Sequence, residues 1–176
     1  MTKKPADPAN GGASPAGPAA RQVPMREFSR SLPMSLLRAR EAVMRQFRPS
    51  LRVHGLTEQQ WRILRALASI EAVEVTELAR TAFLLGPSLS RILRDLEARN
   101  LIERKTAKAD QRRSVVSISK DGVKLMASVA PTSEAIYAEI TRRFGARKLA
   151  ELQEMLGELE RSLASLGASE EASPEE

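Results

Sequence analysis

Cysteine is absent from the 176 residues, and histidine occurs once, at His54. Without thiols no disulfide, thiolate metal site or cysteine nucleophile can form. With a single imidazole, no histidine triad or metal cluster can be assembled within one chain. Nor is there a glycine-rich phosphate loop, so an enzyme is disfavoured and no cofactor is called for. Aromatic residues make up only 3% of the chain. A core must therefore be built from Leu, Ile, Val, Met and Ala, which suits packed helices. No run of 18 apolar residues occurs, so no spanning helix and no membrane partner are expected. The first 20 residues carry Lys3 and Lys4 with no apolar stretch behind them, unlike a secretory signal. A soluble cytoplasmic protein is the expectation.

What is present is charge, unevenly spread. The chain is 42% hydrophobic and 28% charged, with a formal net charge of +6. Residues 1–56 hold 10 basic and 3 acidic side chains, residues 57–122 hold 12 and 9, and residues 123–176 hold 6 and 10. A basic front and an acidic end fit a surface that meets a polyanion on one side. The same balance is compatible with a basic protein that has no such partner.

Residues 1–30 are rich in Pro, Gly, Ala and Ser and are expected to be a disordered extension; 168–176 read as a disordered acidic tail. Between them the spacing predicts a first helix from Ser31 to His54, capped by Ser31 with Pro33 in its first turn. Leu36, Val43, Phe47, Leu51 and His54 fall on one face of it. Gly55 ends that helix, and Thr57 with Gln60 forms a capping box for a second, whose stripe is Trp61, Leu64, Leu67 and Ala68. Val75–Ala82 reads as a short third helix. A fourth opens at Gly86-Pro87-Ser88, buries Leu89, Ile92, Leu93 and Leu96, and ends at Asn100 in the left-handed conformation. Leu101–Thr106 and Ser114–Ile118 then alternate like strands across a polar Ala107–Arg113 tip. Ser119 caps a fifth helix to about Phe144, in which Pro131 should cause a kink. A sixth runs from Ala146 to Leu166, with Leu149, Leu152, Leu156, Leu159 and Leu163 on one stripe.

This order defines a mainly α fold: a winged helix-turn-helix of about six helices and a two-stranded β-wing, with a helical dimerisation region. Its parts are a first helix at 31–56, a DNA-binding domain at 57–122 and dimerisation helices at 123–167. Apolar residues of the fourth helix turn inward, leaving Ser88, Ser90, Arg91 and Arg94 outward near its start. Short hydroxyls and arginines at that end can reach phosphates and base edges of double-stranded DNA. The wing tip adds Lys105, Lys108, Arg112 and Arg113, suited to a narrow minor groove, with Asp110 near enough to orient Arg112. A solvated helix face and an ordinary polar turn are the plainer readings of each piece. A winged helix that binds protein or RNA is the competing function.

Several segments carry a more specific likeness. Thr76-Glu77-Leu78-Ala79, Gly86-Pro87-Ser88-Leu89-Ser90-Arg91-Ile92-Leu93, Asp95-Leu96-Glu97 and Leu101-Ile102-Glu103-Arg104 resemble the MarR family of bacterial regulators. So do Asp110-Gln111-Arg112-Arg113 and Ser117-Ile118-Ser119-Lys120-Asp121-Gly122. The resemblance covers nearly all of Leu32 to Leu166. Leu36–Ala42 and Leu56–Arg62 look most like the branch that represses homoprotocatechuate (4-hydroxyphenylacetate) degradation. One departure is Gly86, where many relatives carry a capping serine. The resemblance implies a homodimer joined through the first, fifth and sixth helices. It also implies an aromatic-acid effector, such as 4-hydroxyphenylacetate or 3,4-dihydroxyphenylacetate, bound between those helices and the DNA-binding domain.

Three residues are candidates for that effector. Arg40 lies within the apolar stripe of the first helix, where a buried guanidinium requires an anion. A bound carboxylate would serve, as would an internal glutamate or escape of the head to solvent. His54 lies on the same face, where it can also simply cap or pack. Trp61 can stack on an aromatic ring or belong to the core.

Overall fold

The computed structural model describes residues 27–107 and 110–170, with side chains described outside 106–113 and 165–170. Two compact units are distinguished, one ending at Arg38 and one beginning at Ala39. In the first, a single 3₁₀ turn at Phe28–Arg30 precedes helix α1, Leu32–Val53. The Ser31 hydroxyl donates to the Phe28 carbonyl at 2.9 Å. Arg38 Nη2 donates to the Ser29 carbonyl at 2.6 Å.

The second unit contains the rest of α1 and everything after it. Gly55 ends α1 with φ +64°, as its sequence position suggests. Helix α2, Glu58–Ala68, starts from a complete capping box: Thr57 N–H donates to Gln60 Oε1 at 2.8 Å and Gln60 N–H to Thr57 Oγ1 at 3.2 Å. Strand β1, Val73–Glu74, leads into α3, Val75–Thr81, and α4 follows at Gly86–Ala98. Strands β2, Ile102–Ala107, and β3, Asp110–Ile118, form the hairpin. Helix α5, Lys120–Phe144, and α6, Ala146–Glu170, complete the described residues.

Three expectations need correction. The sheet has three strands in the order β1-β3-β2, not two, because Val73 pairs with Val116 and Glu74 with Val115. Such a two-residue strand has no periodicity of its own; it exists only because β3 offers a free edge. The hairpin strands also run closer to the tip than the alternation suggested, with a register shift between Thr106 and Ala107. Residues Asp110–Arg113 therefore belong to β3. Finally, α6 continues to Glu170, into the segment expected to be a tail. Helix α5 runs on through Pro131 without a break.

The core gathers Phe47 and Leu51 of α1, Trp61, Ile63, Leu64 and Leu67 of α2, Leu78 of α3, Leu89, Ile92, Leu93 and Leu96 of α4, and Val116 of β3. Burial of these side chains, at about 1.5–3 kcal/mol each, holds α4 against α2 and presents its other face outward. Ser119 caps α5, accepting from Gly122 N–H at 3.0 Å, and Gly122 lies so close to Leu101 that a Cβ there would sit 2.1 Å from its carbonyl oxygen. The wing is thereby pressed onto the start of α5. By contrast, α6 buries no residue of its own among those described.

Candidate nucleic-acid interface and ligand cleft

Helix α4 is placed by contacts that the apolar pattern alone did not reveal. Gln60, 8% exposed, donates through Nε2 to Asp95 Oδ2 at 2.5 Å, linking the start of α2 to the middle of α4. Arg62 Nη1 donates to the Ala82 carbonyl at 2.8 Å, satisfying the end of α3. Asn100, at φ +55°, ends α4 and turns the chain into β2. Leu85, not Gly86, occupies the N-cap, and it supplies no side-chain hydrogen bond. Gly86 is thus the first helical residue and Pro87 the second, positions at which proline's missing N–H costs little.

On this framework Ser88, Ser90, Arg91 and Arg94 are all exposed, on the side opposite Leu89, Leu93 and Leu96. Neither Arg91 nor Arg94 makes an ion pair among the described residues, so both heads remain available for phosphate or base edges. In the wing, Lys105 on β2 is exposed and pairs with Glu103 at 3.2 Å. Lys108 lies outside the described residues. Asp110, Arg112 and Arg113 lie on β3, with side chains outside the described set.

Arg40 is not buried, which corrects the sequence expectation. Its side chain is 43% exposed and belongs to a four-residue ionic network between α1 and α2. Arg40 Nη2 meets Glu58 Oε2 at 2.7 Å and Nη1 meets Glu41 Oε1 at 3.0 Å. Arg48 Nη2 meets Glu41 Oε2 at 2.6 Å, and Arg48 Nε bonds Glu58 Oε1. Burial works to raise the Glu58 carboxyl, yet hydrogen bonds from Arg48 and Arg40 outweigh it and hold the group below its ordinary range. Donating to Glu41 and Glu58 raises the Arg48 guanidinium above its ordinary value. An internal glutamate thus partners Arg40, one of the alternatives left open by its position.

Arg40 and Trp61 nevertheless line one cleft of about 530 Å³, together with Phe47, Glu58, Arg65 and Tyr137. Trp61 serves both core and cleft, being 7% exposed. Arg65 places its guanidinium 5.9 Å from the Trp61 ring centre and 6.0 Å from that of Tyr137, with Nη1 3.4 Å from the Tyr137 hydroxyl. Phe47 and Tyr137 rings lie 5.0 Å apart. Aromatic walls and cationic heads suit a small aromatic anion. His54 is elsewhere, with Nδ1 3.4 Å from Ser128 Oγ on α5. Sequence reasoning missed Arg65 and Tyr137. Arg65 follows Trp61 by one helical turn and could have been found; Tyr137 is brought in only by the fold.

A short helix, a polar-faced helix behind it and an adjoining β-hairpin define the winged helix-turn-helix class. Known proteins carry the assignment further. A model of the MarR family matches residues 54–113. The homoprotocatechuate degradative operon repressor of Escherichia coli is 41% identical over 128 residues, 73% of this chain and 86% of the relative. The structure of NadR in complex with 4-hydroxyphenylacetate is similar with a TM-score of 0.68 at 36% identity, covering 78% of this chain and 97% of that one. The repressor CouR bound to a 23-mer DNA duplex gives 0.69 at 26% identity, covering 77% and 96%. The chain belongs to the MarR family of transcriptional regulators. Among the described residues, no helix is long and apolar enough to cross a membrane.

Proposed function

We propose that this chain is a non-enzymatic, ligand-responsive repressor of an aromatic-acid catabolic operon, acting as a homodimer on a pseudo-palindromic operator. The observation that carries the DNA-binding half is the outward face of α4, where Ser88, Ser90, Arg91 and Arg94 stand exposed over a buried apolar row. In this reading residues 57–122 bind DNA: α4 enters the major groove, and Arg112 enters the flanking minor groove with Lys105, Lys108 and Arg113 along the backbone and Asp110 orienting Arg112. Residues 31–56 and 123–167 join the two protomers. Their uncovered apolar side chains support this: Phe144 on α5 and Leu152, Met155, Leu156 and Leu163 on α6 are all more than a third exposed.

The effector is a small phenolic or aromatic carboxylate of the 4-hydroxyphenylacetate or 3,4-dihydroxyphenylacetate kind. It occupies the Arg40–Trp61–Tyr137 cleft, its carboxylate competing with Glu58 for the arginines; His54, turned toward Ser128, stands outside that cleft. The name of the E. coli relative and the ligand held by NadR support this class of compound. Selection from a random duplex pool followed by fluorescence anisotropy tests the proposal. The expected outcome is an enriched palindrome bound at nanomolar concentration, with affinity falling steeply as salt rises. Binding without sequence selection, or only to RNA, would refute it.

A further inference from the structure

Glu58 and Gln60 share the first turn of α2 but hold different partners. Glu58 is bonded by Arg40 and Arg48 at the effector cleft, whereas Gln60 is buried and reaches α4. Both ends of the Gln60 amide are in use. Its Oε1 accepts from Thr57 N–H at 2.8 Å, which fixes the amide's orientation and leaves Nε2 to donate to Asp95 Oδ2 at 2.5 Å. Among the described residues this is the one side-chain hydrogen bond between α2 and α4.

A second tie joins the same two places. Arg99, the C-cap of α4, donates through Nη1 to the Gly55 carbonyl at 3.0 Å and stands 3.9 Å from Asp95 Oδ2. The corner between α1 and α2 is thus pinned to the C-terminal half of α4 at two points. Apolar packing between helices is non-directional, whereas a hydrogen bond from an oriented, buried amide fixes their register. The identity of residue 60 carries the same message. A capping box takes glutamate or glutamine at this position, but only glutamine can also donate to a carboxylate on α4.

We propose that Gln60 and Asp95 are the positioning residues through which the effector cleft acts on the reading helix. A carboxylate that draws Arg40 and Arg48 away from Glu58 releases the first turn of α2. Gln60, in that turn, carries the change to Asp95, and α4 shifts against the groove. The inference rests on the proposed effector cleft and names how its occupancy reaches DNA. The Asp95 side chain is 54% exposed, so its replacement opens no cavity in the core.

The test measures 4-hydroxyphenylacetate binding to the full chain by calorimetry, with and without the selected operator; the ratio of the two dissociation constants is the coupling factor. Asp95→Ala should reduce that factor about two- to thirtyfold while the free protein keeps its effector affinity. Gln60→Glu, which keeps the cap acceptor but sets two carboxylates against each other, should do the same. Gln60→Glu combined with Asp95→Asn exchanges donor and acceptor and should restore the factor. A merely structural role would change the melting temperature or operator affinity and leave the factor where it was. A wild-type factor in both single variants overturns the relay and leaves the effector reading standing. So does a combined variant that couples no better than Gln60→Glu alone. If the wild type itself shows no coupling, the effector reading falls and the relay with it.

Discussion

Replacing Glu58 by glutamine keeps the shape of the side chain and removes its charge from the centre of the α1–α2 ionic network. Glu58 is 19% exposed, while its partners Arg40 and Arg48 are 43% and 32% exposed, so the pairs lie between the surface and buried limits. Exposed pairs contribute about 0.2–1 kcal/mol each, and charge-assisted bonds away from solvent about 1.5–3. Two half-screened bonds therefore give a loss of about 1–2 kcal/mol, or roughly 2–8 °C in Tm for a protein of this size. The sign with pH follows from the depressed Glu58 carboxyl. Its contribution is complete above the ordinary carboxylate value of 4.5 and is lost as pH falls through the lower folded value. Thermal melts of Glu58→Gln and wild type at one protein concentration should differ at pH 7, and the difference should shrink at an acid pH below 4.5. An equal decrement at both pH values would mean that shape, not charge, holds α1 to α2. No decrement at pH 7 would refute the reasoning outright.

Gly122→Ala should destabilise by about 1–3 kcal/mol or more, because its Cβ would stand 2.1 Å from the Leu101 carbonyl oxygen and 2.7 Å from Ile118 Cγ1; denaturant unfolding measures it. Leu93→Ala, at a fully buried position beneath the outward face of α4, should cost about 2–5 kcal/mol in the same assay. Arg112→Ala should weaken operator binding and reduce the salt slope by about one, with effector affinity retained. Arg40→Ala should show the reverse pattern, with operator affinity kept and effector affinity lost; calorimetry with each partner distinguishes the two.

Local chemistry was legible in the sequence where its cause is local. Thr57 and Gln60 cap α2 through bonds three residues apart, Asn100 stops α4 by its own backbone preference, and Leu89, Ile92, Leu93 and Leu96 bury themselves by helical period. What was missed depends on residues distant in the chain. Strand β1 exists through pairing with Val115 and Val116, some forty residues on. Arg40 sits on an apolar stripe, yet Glu58, 18 residues later, draws its head out of it. Gln60 looked complete as a cap, while its second function, holding Asp95, needs the α2–α4 packing to be known. The α4 residues expected to face outward do so, and two of the three effector candidates share a cleft. His54 does not, because the end of α1 turns it toward Ser128 on α5.

In the proposed regulator, operator and effector oppose one another through one dimer, and such coupling is reciprocal. The most direct test is calorimetric titration of 4-hydroxyphenylacetate into the protein alone and into its saturated complex with the selected operator. Effector binding is expected to be weaker in the complex, by the same factor, about 5- to 150-fold, by which the effector weakens operator binding. Equal effector affinity with and without operator would contradict it.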